Sequence, residues 1–111
     1  MVQKIDIKKI INNNVIFLNI NLKEGIVCYK NDVQILTKKI NFDISNFCDN
    51  LINYIKYWDN QYLSDNVISG ILVEIKIYTL DEIINYTFKN KFPDNYNEFY
   101  EFVKKVVNIN E

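Results

Sequence analysis

The side chains that could carry chemistry in this chain are two cysteines, a few neighbouring carboxylates and 13 lysines; histidine and arginine are absent. Without histidine there is no ordinary general base, no serine-type triad and no imidazole for a catalytic zinc site. Without arginine there is no planar fork to hold a phosphate or carboxylate by two hydrogen bonds. The only glycines are Gly25 and Gly70, so neither a dinucleotide fingerprint nor a phosphate-binding loop can be assembled.

The remaining nucleophiles and acids have plainer roles. Cys48 falls in the middle of an apolar helical stripe, where burial raises the thiol pKa and makes it inert. Cys28 falls on a strand. Two cysteines are too few for a disulfide scaffold, and both read as reduced packing residues. Asp81 with Glu82, and Glu98 with Glu101, are the carboxylate pairs that could serve glycoside hydrolysis or bind a divalent cation. The first pair is accounted for by a turn and the second by a solvated helix N-terminus, and no calcium-loop spacing is present. No pattern marks a Schiff-base lysine. The expectation is a protein that is not an enzyme, with no catalytic residue, cofactor or metal.

Binding chemistry is better represented. Tyr54, Tyr57, Trp58 and Tyr62 lie beside Asn46, Asn50 and Asn53, and tyrosine and tryptophan are favoured at the energetic centres of protein interfaces. The predicted partner-binding residues are Tyr54, Tyr57, Asn50 and Asn53. Against this stands a bland account: the chain has no alanine and is rich in isoleucine, asparagine, lysine and tyrosine, the usage of AT-rich coding. Single exposed tyrosines are also normal on soluble surfaces. A second class of partner is suggested by Phe88, Lys89, Lys91 and Phe92 and by the pairs Lys8–Lys9 and Lys38–Lys39, since single-stranded nucleic acid is bound by such mixtures. No RNA-binding signature accompanies them.

Elements must position these residues, and hydrophobic periodicity marks them. Residues 15–22 alternate as a strand, with a weaker strand begun by Ile5 and Ile7 before it and Asn12, Asn13 and Asn14 as the turn. Lys23, Glu24 and Gly25 turn the chain into 26–30, and Asn31 and Asp32 make a tight hairpin into 33–41. From Ile44 the period becomes helical through Phe47, Cys48, Leu51, Ile52, Ile55 and Trp58. Asp43 is the predicted N-cap, with Phe42 and Phe47 as a hydrophobic staple. A polar stretch, 59–69, leads to Gly70.

Ile71, Val73, Ile75 and Ile77 then alternate with Glu74, Lys76 and Tyr78, and Ile84, Tyr86 and Phe88 return as a hairpin partner. After Pro93 comes a helix with Asn95 and Glu98 in capping-box spacing and a stripe of Tyr96, Phe99, Tyr100, Val103, Val106 and Val107. The fold class is therefore α+β: an antiparallel sheet, made of an N-terminal meander and a later hairpin, with two amphipathic helices packed on it. The order of the strands does not follow from the sequence.

Composition bounds the rest. The 111 residues are 49% hydrophobic and 24% charged, which fits one globular domain spanning 1–111. Net charge is −1, but lysines exceed acids 7 to 3 before Asp43 and acids exceed lysines 11 to 6 from there on. Charges at Lys4, Asp6, Lys8 and Lys9 interrupt any secretory leader, and no run approaches the roughly 18 apolar residues of a membrane span, so a cytoplasmic, non-membrane protein is expected. These features together predict a small non-enzymatic protein-binding module, an inhibitor such as an immunity protein, an antitoxin-like protein or a phage-encoded inhibitor of a host defence system. The alternative is a nucleic-acid or nucleotide binder, and the third reading is an enzyme of unusual chemistry.

Overall fold

Alternating apolar residues in the first 40 positions build four consecutive antiparallel strands. These are β1 (Val2–Ile11), β2 (Asn14–Asn21), β3 (Ile26–Lys30) and β4 (Ile35–Lys39). The computed structural model describes residues 1–65 and 70–111. Turn chemistry sets the first hairpin: Asn12 and Asn13 both take positive φ, 48° and 72°, the pairing a two-residue hairpin turn requires. The Asn31–Asp32 turn works differently. There the Asn31 side-chain oxygen accepts from the Val33 and Gln34 amides at 2.9 and 3.0 Å, and neither turn residue needs a left-handed backbone.

Helix α1 (Ile44–Ile55) starts where expected. Asp43 caps it by accepting from the Asn46 amide at 3.0 Å, worth about 1 kcal/mol, and the Phe42 and Phe47 rings meet at 5.2 Å as the staple. The helix ends at Ile55, so Trp58 lies beyond it, its backbone N–H donating a hydrogen bond to the Ile55 carbonyl at 2.9 Å. The chain then makes β5 (Gln61–Leu63), β6 (Ile71–Thr79), β7 (Ile83–Lys89) and α2 (Tyr96–Val107).

The strands form one seven-stranded sheet in the order β4-β3-β2-β1-β6-β7-β5. Its architecture is α+β with two helices, but the sheet is mixed rather than antiparallel, because β5 pairs parallel to β7. That strand sits inside the stretch expected to be a polar connection; the part of that stretch at 66–69 lies outside the described residues. β1, the strand with the weaker signal, is central, held between β2 and β6 along nearly its whole length.

Residues opposite one another in adjacent strands share a face. One face carries Ile5, Ile7, Leu18, Ile20, Val27, Tyr29, Val73, Ile75, Ile77, Tyr86 and Phe88, all buried. The buried sides of the helices join the same core: Phe47, Cys48, Leu51 and Ile55 from α1, and Tyr96, Phe99, Tyr100, Val103 and Val107 from α2. Burial, then the Asp49 carboxylate, raises the Cys48 thiol pKa, as its place in the helical stripe implies. Both cysteines are free.

Asn95 was the expected cap of α2, and its side chain makes no cap bond. It instead accepts from the Trp58 indole N–H at 2.6 Å and donates to the Tyr54 carbonyl at 2.8 Å. A residue suited to capping has been taken as a cross-link between the end of α1 and the start of α2. The other end of α2 closes on Asn108, left-handed at φ 58°, whose amide donates to the Lys104 and Lys105 carbonyls. Its own carbonyl accepts from the Lys38 ammonium at 2.7 Å, which ties β4 to the helix terminus.

Candidate docking surface

With both helices contributing to the core on one side, the alternate residues of every strand form an opposite face. Register assigns it. One row runs Lys39, Ile26, Asn21, Lys4, Tyr78 and Ile83; the next runs Thr37, Cys28, Asn19, Asp6, Lys76 and Asn85. A third runs Ile35, Lys30, Phe17, Lys8, Glu74, Thr87 and Gln61. Lys89 and Leu63 follow at its β7–β5 corner.

Two properties set this face apart. Large apolar side chains stand out from it: Phe17, Ile26, Ile35, Leu63 and Ile83 are each between 41% and 69% exposed. They are not one patch: across the strands each is flanked by a lysine, an asparagine or Tyr78, so they stand as separate apolar contacts in a polar face. The charge is also one-sided, with Lys4, Lys8, Lys30, Lys39, Lys76 and Lys89 against Asp6 and Glu74, in a chain whose net charge is −1.

The middle of the face is knitted together. Asp6 accepts from the Asn19 amide group and lies 3.9 Å from the Lys4 ammonium, which sits 4.3 Å from the centre of the Tyr78 ring. Desolvation and the Asp6 carboxylate raise the pKa of the Tyr78 hydroxyl. Lys8 lies 5.7 Å over Phe17 and is directly opposite Glu74, while Asp6 is opposite Lys76. These opposed charges balance locally, so the excess positive charge falls on Lys4, Lys30, Lys39 and Lys89 around them. A shallow groove of about 380 Å³ runs between Phe17, Asn19, Asp6, Lys8, Glu74 and Lys76. A larger hollow of about 780 Å³ lies along α2, where Glu98, Glu101 and Glu111 face Lys104 and Lys105 and no lysine excess exists.

The residues expected to bind a partner are placed unequally. Tyr57 is 85% exposed, with Lys56 5.2 Å from its ring centre, and Asn53 is exposed. Asn50 is half-buried and donates back to the Asn46 carbonyl at 2.9 Å. Tyr54 is half-buried in the seam between the helices, its ring 6.1 Å from Phe99 and 5.2 Å from Phe102. The four do not form one free patch. Phe88 is in the core and the half-buried Phe92 packs on it at 6.1 Å, so one ring of the suspected nucleic-acid segment is out of reach and the other is partly covered. Asp81 and Glu82 are exposed in the β6–β7 turn, and Glu98 and Glu101 are exposed on α2. Among the described residues no three cysteine, aspartate or glutamate side chains come together as a metal would need.

Sequence reasoning missed the open face although its signal was present. Lys4, Asp6 and Lys8, then Phe17 and Asn19, then Glu74, Lys76 and Tyr78 are the solvent-side positions of strands already recognised. What was needed was the knowledge that these strands are neighbours. Compared with protein-family models, with curated proteins and with solved structures, this chain matches none.

Proposed function

We propose that this protein is a non-enzymatic binding module that docks an acidic protein surface on the open face of its sheet, acting as an inhibitor of the immunity-protein, antitoxin-like or phage-encoded kind. One observation carries the reading: exposed Phe17, Ile26, Ile35, Leu63 and Ile83 are set among lysines that outnumber acids on that face. Apolar groups supply contact energy, and the lysines among them select and steer a partner rich in carboxylates. Single-stranded nucleic acid is the second reading. It has the lysines in its favour, but stacking needs open aromatic faces. Here Lys4 covers Tyr78 and Phe88 is buried, which leaves Phe17 as the single exposed aromatic ring of that face.

The test compares two double variants. Phe17→Ser with Lys30→Glu alters exposed cross-strand neighbours on the open face; Asn53→Ser with Tyr57→Ser alters the exposed side of α1 and the turn that follows it. Both should leave the melting temperature nearly unchanged, as exposed substitutions do. Partner capture should weaken by about 2 kcal/mol or more for the sheet variant, the scale of an interface hot spot, and change little for the helix variant. The reverse pattern would move the site to α1. Salt-sensitive binding of an oligothymidylate probe, lost in the sheet variant, would replace a protein partner with nucleic acid.

A further inference from the structure

The sheet has an edge whose hydrogen-bonding groups face outward without protection. In the β3–β4 ladder, the Asn31 amide donates to the Gln34 carbonyl at 3.0 Å and the Ile40 amide to the Gly25 carbonyl at 2.9 Å. Antiparallel ladders alternate between bonded and non-bonded pairs. The bonded pairs between those two are therefore Tyr29 with Leu36 and Val27 with Lys38, and the pairs Lys30–Ile35, Cys28–Thr37 and Ile26–Lys39 are non-bonded. The N–H and C=O groups of Ile35, Thr37 and Lys39 point away from β3, and no described residue pairs with them.

Edges of this kind are normally blunted by charge, proline or a bulge. None of these occurs between Val33 and Thr37, and the β3–β4 register runs without a shift. Val33 is 88% exposed and Ile35 69%. Three charges border this stretch, Asp32 before it and Lys38 and Lys39 after it; Lys38 is drawn to the Asn108 carbonyl on the helix side, which leaves Lys39 as the one outward charge within β4. At the opposite end of the sheet, β5 offers only three residues.

We propose that β4 pairs with β4 of a second copy, joining the two sheets edge to edge in antiparallel fashion. A two-fold pairing must be self-complementary, and one register satisfies it fully. With the axis at Thr37, Thr37 meets its own counterpart, and Ile35 and Lys39 meet Lys39 and Ile35 of the other copy, so every outward group of the strand finds a partner. That register places threonine against threonine, a favourable cross-strand pair, and keeps the two Lys38–Lys39 pairs at opposite ends. An axis at Lys38 would set like charges directly opposite. The contact is small, so the dimer is weak. It adjoins the docking face, whose margin includes the side chains of Ile35, Thr37 and Lys39, but the pairing itself uses the backbone groups of the edge.

Sedimentation velocity over a concentration series, paired with amide exchange, tests this. The intact chain should shift from monomer to dimer as concentration rises, with exchange of the Ile35, Thr37 and Lys39 amides slowing in step. Thr37→Pro should remain monomeric at every concentration, because it deletes an N–H that β3 does not use; Thr37→Val should dimerise like the parent. Should the proline variant fail to fold, the exchange measurement on the parent decides alone. A parent that stays monomeric with those amides unprotected throughout would overturn the proposal, as would a dimer that a folded Thr37→Pro leaves unchanged.

Discussion

Ending the chain before Pro93 abolishes the cooperatively folded state. Helix α2 supplies Tyr96, Phe99, Tyr100, Val103 and Val107 to the core. Its removal also uncovers Phe88, whose ring lies 5.7 Å from that of Tyr96. At about 1.5–3 kcal/mol for each large apolar side chain returned to water, the loss from α2 alone is on the order of 10 kcal/mol. Whole domains are stable by roughly 5–15 kcal/mol, so little or nothing remains. Near-ultraviolet circular dichroism and side-chain NMR dispersion should both be lost in the truncated chain. Retained cooperative unfolding would show that sheet and α1 hold together without the helix.

Trp58→Ala should destabilise the intact chain by about 3–5 kcal/mol. The indole meets Tyr86, Phe88 and Phe99 edge to face, with ring centres 5.4, 5.2 and 5.0 Å away, so one side chain joins β7 to α2. It also donates to Asn95, whose oxygen would lose its partner. Trp58→Phe separates the two contributions. That variant keeps an aromatic ring but deletes the donor, and should cost about 1–3 kcal/mol, the penalty of an acceptor left unpaired in a partly buried place. Chemical denaturation of both variants gives the comparison. Equal losses would mean that the hydrogen bond, rather than the packing, dominates.

Local signals were legible where local physics decides. Asp43, Phe42 and Phe47 announced the start of α1, and the alternation around Val73, Ile75 and Ile77 announced β6. What was lost depended on neighbours distant in sequence. β1 reads as weak because the polar pairs Gln3–Lys4 and Lys8–Lys9 interrupt its alternation, yet it becomes central because β6, distant in sequence, pairs along it. β5 is three residues long, too short for any alternation to register, and is a strand because β7 is there to pair with it.

The same limit governed the candidate site. The periodicity of α1 separates an apolar side from a polar one, but it does not say where α2 will lie. Tyr54 falls on the margin between the two sides, and α2 claims it through Phe99 and Phe102. Asn95 carries a capping residue's chemistry, and the indole beside it offers a stronger claim than its own helix. Tyr57 projects into solvent from the turn beyond the helix end. The open face needed sheet topology before its lysines and Phe17 could be seen as one surface.

Lysine footprinting of the partner complex tests the docking face most directly. Acetylation rates are compared between free and partner-bound protein, residue by residue. Lys4, Lys8, Lys30, Lys39 and Lys76 lie on the open face, while Lys56, at the end of α1, and Lys105, on the exposed side of α2, lie elsewhere. Binding to an acidic partner should slow the first group and leave Lys56 and Lys105 at their free rates. Protection of Lys56 or Lys105 with the open-face lysines still reacting as in the free protein would contradict the account.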